Sequence, residues 1–325
     1  MPRRVTIVMY HFVRDRRRSR FPAIAGLDTS SFLGQLDYIQ RHYNVISVDD
    51  VLAASQNADV ELPPRALLLT FDDGYIDHFT TVFPALEERG WSGAFFPPAR
   101  AILERRVLDV NKIHFVLASE PDKAKVVHAL EQRVEAHRAE LGLLPVADYR
   151  NTYAHANRWD SADVIYIKRM LQRGLPQALR SSIADELFRQ FVTHDEAAFA
   201  EELYVSAAQL RCMIRHGMHI GSHSHDHVWL DSLDADAQAQ QIAKSVEFLR
   251  LLHGRDDKWT ICYPYGGYNS SLLAIVQQHG FQLGFTTNVA VSDLDKIGPL
   301  ELSRLDTNDL PNSADAPPNH WLDAA

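Results

Sequence analysis

Three short stretches of this sequence hold side chains suited to hydrolytic chemistry. Thr70-Phe71-Asp72-Asp73-Gly74 sets two carboxylates side by side after an apolar run. Neighbouring strand residues point to opposite faces, but a strand end turns, and Gly74 gives the backbone freedom for both acids to approach one place. Two close carboxylates stay ionised cheaply only beside a cation. One acid as metal ligand and the other as base resolves that conflict, although a lone pair of this kind can also simply cap a helix. His223-Ser224-His225-Asp226-His227 is the second stretch. His223 and His227 stand four apart, the interval at which a helical turn brings two rings to one ion, with His225 pointing elsewhere. Isolated histidines are ordinarily core or surface residues, so the pair gains meaning from Asp73. Two imidazoles and one carboxylate leave open positions for water and substrate, the mark of a catalytic rather than a structural metal. Tyr263-Pro264-Tyr265-Gly266-Gly267-Tyr268, the third stretch, is a tight turn that can aim backbone N–H groups at a developing oxyanion. Most such turns are only turns.

The elements that must position these groups are legible as alternating patterns. Val5 to Met9 and Ala66 to Phe71 read as buried strands, with His11 just beyond the first. Short strands are expected at Tyr43 to Ser47, Gly93 to Phe96, Met218 to Gly221, Trp259 to Tyr263 and Leu283 to Thr287. Helical spacing of apolar residues recurs at Ser30 to His42, Asp234 to Leu252 and Ser270 to His279, and a helix near Thr80 to Arg89 stops at Gly90. This alternation predicts an α/β chain built on a parallel sheet or barrel with crossover helices. Between about Ala101 and Leu203 the pattern changes to charged, helix-favouring stretches at Asp122 to Leu141, Ala162 to Leu171 and Leu179 to Phe191. The expected organisation is therefore a core from residues 1–100 and 204–310, a mostly helical insertion over 101–203, and a flexible tail over 311–325 that carries Pro311, Pro317 and Pro318.

With 325 residues and 46% hydrophobic content, the chain can bury one large core or two modest ones. A net charge of −9 gives no basic surface for a nucleic-acid backbone, so no nucleic-acid partner is expected. Arg16 to Arg18 form a short basic run that reads as a solvated loop, or else as a local contact for an anionic substrate group. Cys212 and Cys262 are too few for a disulfide framework and lack the spacing of a zinc or redox motif. No apolar run approaches a membrane span, and Val5 to Met9 is shorter than a signal-peptide core, which predicts a cytoplasmic protein.

Taken in order, Thr70 to Gly74 (TFDDG), His223 to His227 (HSHDH) and Tyr263 to Gly266 (YPYG) resemble the first three motifs of the polysaccharide deacetylases, the family 4 carbohydrate esterases with the nodulation-deacetylase homology domain. The resemblance covers roughly residues 1 to 100 and 205 to 310 and leaves out the insertion. It implies a deformed (β/α) barrel of about seven strands. It also implies one divalent metal held by Asp73, His223 and His227, zinc first, with cobalt, nickel or manganese as alternatives. Asp72 matches the base that deprotonates water on the metal, and the backbone amide of Tyr265 matches the oxyanion donor.

Two departures from the family pattern are visible. Where the family often places an Arg to orient the base, this sequence has Cys262; Arg304 is the candidate replacement, since a guanidinium clamps a carboxylate in a fixed fork, while a surface ion pair is the plainer alternative. The family's late Leu-x-His motif, source of the general acid, is missing after Gly266. Tyr10-His11 instead resembles the arrangement of the poly-N-acetylglucosamine deacetylases, so His11 is assigned as general acid. Tyr10, Tyr263, Pro264, Gly266 and Asp306 are assigned to the substrate-binding surface. The expected function is removal of an acetyl group from an N-acetylated sugar, nucleotide-linked, lipid-linked or in an oligosaccharide, during assembly of bacterial surface polysaccharide. The alternatives are an esterase or deformylase on the same scaffold, or a sugar-binding protein with a decayed site. Oligomeric state is open.

Overall fold

The computed structural model describes residues 3–157, 160–254 and 258–325. The chain divides into two compact units, one of Met1–Asp15, Gly26–Arg105 and Glu201–Ala325, the other of Arg16–Ala25 and Arg106–Ala200.

The first unit is an α/β structure on a mostly parallel sheet. Its strands are β1 (Arg4–Tyr10), β2 (Asn44–Val45), β3 (Ala66–Asp72), β4 (Ala94–Phe96), β5 (His219–Ile220), β6 (Trp259–Cys262), β7 (Phe281–Phe285), β8 (Ser292–Asp293) and β9 (Leu305–Asp306). The order β5-β4-β3-β1-β8 forms the main path, with β2 also pairing β3 and β9 also pairing β1; β6 and β7 make a second parallel ladder. Among the strands of the described residues only β8 runs antiparallel to its neighbour. Isolated parallel bridges join Ser222 to Ile261 and Phe285 to Leu302.

β3 is buried along its whole length, as its mostly apolar sequence requires of a central parallel strand. Its residues alternate between two clusters. Leu67, Leu69 and Phe71 pack with residues of the helices Thr29–His42 and Ala235–His253, such as Leu36, Ile39, Ile242 and Leu249. Ala66 and Leu68 join Ile7, Ala94, Phe96, Leu283, Phe285 and Leu302, which come from other strands and the segment before β9. Each fully buried Leu or Phe side chain contributes roughly 1.5–3 kcal/mol. Parallel pairing in register, from Thr6↔Leu67 to Tyr10↔Phe71, carries the ends of β1 and β3 to one edge. The crevice beyond the carboxyl ends of parallel strands is where α/β folds place ligands.

Arg16–Ala25, read from sequence as part of residues 1–100, clusters with the helical unit instead. The cause is Phe21, whose ring lies 4.9 Å from Phe115 and 5.7 Å from Phe199 inside that unit's aromatic core. The last fifteen residues are not the expected flexible tail. Asn319 caps a final helix, His320–Ala324, which buries Leu322, and Arg41 pairs with Asp315 at 2.6 Å. A proline-rich composition hid these few anchoring contacts. Among the described residues no helix is long and apolar enough to cross a membrane.

Candidate active site

At the end of β3 the backbone leaves the strand through two successive left-handed residues, Asp73 at φ 75° and Gly74 at φ 66°. A Cβ on Gly74 would lie 2.6 Å from Pro97 Cβ, so glycine is required for space as well as conformation. The turn frees Asp73 from strand alternation. Its Oδ1 comes 3.1 Å from His227 Nε2 and 3.5 Å from His223 Nε2. The three ligand atoms lie within 4.8 Å of one another.

The two histidines do not reach this point from a helix, as their spacing suggested. Ser222 to Trp229 is a non-helical loop in which Ser224 (φ 62°) and His227 (φ 54°) are left-handed, and Ser224 Oγ accepts from the His227 N–H at 3.2 Å. Four of the six non-glycine residues with positive φ among those described belong to this site, namely Asp73, Ser224, His227 and Tyr265. Each such conformation costs on the order of 1 kcal/mol or more, and strain of this kind gathers where function requires it. His225 faces Glu104 and Asp226 at 3.6 and 3.8 Å.

The donor set suits a divalent cation. Asp73, His223 and His227 are all buried, and Asp73 Oδ1 has no hydrogen-bond partner among the described residues. A buried carboxylate oxygen left that way is costly, and a cation between it and the two imidazoles removes the cost. His223 Nδ1 lies 2.8 Å from the Cys262 carbonyl oxygen; donating its N–H there leaves Nε2 as the lone-pair donor. One carboxylate oxygen and two imidazole nitrogens are ligands that zinc accepts readily.

Beside this cluster, Asp72 is clamped by Arg304. Nη1 donates to Oδ1 at 3.0 Å and Nη2 lies 2.9 Å from Oδ2, the bidentate fork that fixes a carboxylate plane. The pair is buried, not a surface ion pair. Arg304 is itself held by the Thr286 carbonyl at 2.8 Å and touches Cys262 Sγ at 3.0 Å, so the small side chain at position 262 leaves the guanidinium its place. Burial pushes the Asp72 carboxyl upward, but Arg304, His223 and His11 together outweigh it and hold the pKa at about 2. Asp73 is likewise driven up by burial and brought well below the usual carboxylate range by His227, His223 and His11. Burial raises the Cys262 thiol.

His11 follows β1, and its charge acts on both carboxylates. Its carbonyl oxygen lies 2.9 Å from Nε2 of the buried His78. Tyr265 occupies the turn after β6 at φ 57°, its ring stacked on Trp229 at 4.7 Å and set edgewise against His227 at 4.8 Å. Gly266 holds φ 72°, where a Cβ would collide with Thr287 Oγ1 at 2.0 Å.

Several residues assigned to substrate binding lie elsewhere. Tyr10 and Tyr263 are fully buried in the same helix-facing cluster as Leu36 and Ile242, because strand alternation turns them that way. Tyr263 Oη donates to the Leu300 carbonyl at 2.9 Å. Pro264 is buried within its turn. Asp306 caps Thr307–Asp309, accepting from the Asn308 N–H at 2.9 Å. Sequence reading missed Tyr75, whose Oη donates to Asp73 Oδ2 at 2.6 Å, and Trp229; proximity to the motifs was their only signal.

Residues 188–284 match the polysaccharide deacetylase family model, a span that includes His223, His227 and Tyr263–Gly266 but not Asp72 or Asp73. Over 94 residues the chain is 31% identical to YxkH of Bacillus subtilis (strain 168), named as a presumed polysaccharide deacetylase; the match covers 29% of this chain and 33% of that protein. The chain thus spans about a third of the length of that curated relative. Among solved structures it resembles the Streptococcus pyogenes deacetylase PplD in complex with acetate, with TM-score 0.59, 18% identity and coverage of 97% of this chain and 96% of that one. IcaB of Ammonifex degensii gives TM-score 0.53 at 17% identity over 93% and 91%, and the BpsB deacetylase domain of Bordetella bronchiseptica gives 0.53 at 17% over 94% and 96%. At these identities the structures show a shared fold. The family match takes in the histidine and turn motifs of this chain, and the likeness to the solved deacetylases extends over its fold.

Proposed function

We propose that this protein is a metal-dependent hydrolase that removes the acetyl group from an N-acetylated sugar. The observation that carries the reading is the convergence of Asp73 Oδ1 with the Nε2 atoms of His223 and His227 beside the clamped Asp72. Asp73, His223 and His227 would hold one divalent cation, zinc first, with cobalt, nickel or manganese as alternatives. Bound there, a cation lowers the pKa of water toward neutrality and polarises a carbonyl.

The chain's own residues supply the rest. Asp72, kept ionised by Arg304, takes the proton from the attacking water. Arg304 fixes the plane of that carboxylate so that a lone pair stays aimed at the proton. The Tyr265 backbone N–H, turned by its left-handed conformation, donates to the developing oxyanion. His11 gives a proton to the departing nitrogen, and acetate and an amino sugar leave. The barrel reading draws support from the bridges Ser222↔Ile261 and Phe285↔Leu302, which with the pairing of β9 to β1 link the two ladders at both ends. It also draws on the strand-derived cluster around Leu68 and Phe285.

Acetate release from N-acetylated sugar nucleotides, lipid-linked sugars and oligosaccharides tests the reading, with metal-stripped and zinc-reloaded protein compared for wild type and Asp72→Asn. Zinc should restore activity to the wild type, and Asp72→Asn should lower kcat about 10²–10⁴-fold. Equal rates in the two proteins would remove Asp72 from its role. Release of formate from N-formyl sugars in place of acetate would redirect the acyl assignment.

A further inference from the structure

We propose that Tyr75 is a positioning residue that holds Asp73 as a one-oxygen donor toward the two histidines; this rests on the metal-site reading above. Tyr75 Oη donates to Asp73 Oδ2 at 2.6 Å, and both side chains are buried. A phenol on a carboxylate at that distance is a charge-assisted hydrogen bond, among the stronger kinds a protein makes. It occupies Oδ2 and leaves Oδ1 turned to His223 and His227. Asp73 sits at φ 75°, a strained backbone conformation of the kind that gathers at functional sites.

Tyr75 is held from several sides. Its ring stacks on Phe12 at 3.6 Å and lies parallel to Tyr204 at 6.2 Å, with His78 edgewise at 5.7 Å. Tyr75 and Tyr204 form an antiparallel bridge, and the Val205 N–H donates to the Gly74 carbonyl at 3.0 Å. Phe12 adjoins His11, and His78 contacts the His11 carbonyl. One aromatic stack thus sets the phenol against Asp73 and braces the loop that carries His11. Partners of this kind behind a metal ligand usually change affinity 10–100-fold when removed.

The test compares wild type, Tyr75→Phe and Asp73→Asn as full-length, metal-stripped proteins. Zinc affinity is read by competition with a chromophoric chelator, the cobalt complex by its visible absorption, and the metal-free fold by its melting temperature. Tyr75→Phe keeps the ring and its stacks. It should bind zinc about 10–100-fold more weakly, with an altered cobalt spectrum and a metal-free melting temperature lowered by a few degrees, while Asp73→Asn loses binding. If Asp73→Asn loses binding and Tyr75→Phe matches wild type in affinity and spectrum, Tyr75 has no positioning role and the metal reading stands. If Asp73→Asn binds zinc like wild type, the metal reading fails and the Tyr75 role with it. A lower melting temperature in Tyr75→Phe with unchanged zinc affinity and cobalt spectrum would assign the hydroxyl to folding alone and overturn the proposal.

Discussion

Each unit of this protein buries a cation among acids, and the two arrangements differ in how their charges close. In the helical unit, Lys112 is 1% exposed and pairs with both Asp185 and Glu196. Arg106 reaches the same two carboxylates at 3.1 and 3.2 Å. Two positive groups meet two negative ones. In the sheet unit, Arg304 serves Asp72 alone, and Asp73 beside it faces imidazoles with one oxygen that accepts no hydrogen bond among the described residues. One guanidinium there stands beside two adjacent carboxylates. A closed cluster of ion pairs locks helices together, while an open one with strained backbone at four positions is built to receive something.

The sharpest way to break this contrast is to remove each cation in turn, and the larger effect belongs to Arg304. Arg304→Met leaves Asp72 buried with no counter-charge, which costs about 3–5 kcal/mol for a desolvated pair. Burial then acts on the carboxyl without the arginine against it, so its pKa rises from about 2 and the acid limb of the rate profile moves to higher pH. The rate should fall about 100-fold or more at neutral pH, with Arg304→Lys recovering part of it because the charge returns without the fork. An unchanged pH profile in Arg304→Met would show that Asp72 does not depend on this clamp.

Much of the candidate site was legible because it resides in residue type and short spacing: the Asp pair, the two histidines and the turn after β6 announce themselves locally. Arg304 was reachable only by asking what could replace a missing arginine beside Cys262, and its approach depends on β9 lying against β1. What stayed hidden depends on tertiary geometry. The loop holding His223 and His227 uses left-handed residues that a helical interval cannot reveal. Strands of two residues, such as β8 and β9, carry no periodicity to read. Tyr10 and Tyr263 stand next to motif residues, yet alternation sends them to the far face. Phe21 joins the helical unit by side-chain packing that its own short segment does not encode.

His78 sharpens the contrast by a different route, since it is a buried titratable group of the sheet unit kept neutral. Burial pushes its pKa down to about 4, against partial opposition from the His11 carbonyl and Asp73. An unfolded histidine titrates near 6.5, so between about pH 6.5 and 4 the unfolded chain takes up a proton that native His78 refuses. Stability from this residue is therefore full above about 6.5 and is lost as pH falls toward about 4, amounting to roughly 3 kcal/mol. Chemical denaturation of wild type and His78→Gln near neutrality and near pH 4.5 should show the wild type losing more on acidification by most of that amount. Parallel losses in the two proteins would mean that His78 is not held neutral.

The smallest effect is expected from Lys112→Met, and it decides whether the closed cluster is structural only. Arg106 remains to bridge Asp185 and Glu196, whose side chains are 28% and 26% exposed, so water shares the work of solvating them. The cost should be about 1–2 kcal/mol rather than the figure for a fully desolvated pair, and the methionine stem recovers some of the packing. Acetate release per folded molecule should stay at the wild-type level, because every group assigned to the reaction belongs to the other unit. A fall in kcat of about 10-fold or more with the fold intact, equivalent to about 1.4 kcal/mol in the barrier, would tie the helical unit's ion network to catalysis and end the division of labour drawn from the two clusters.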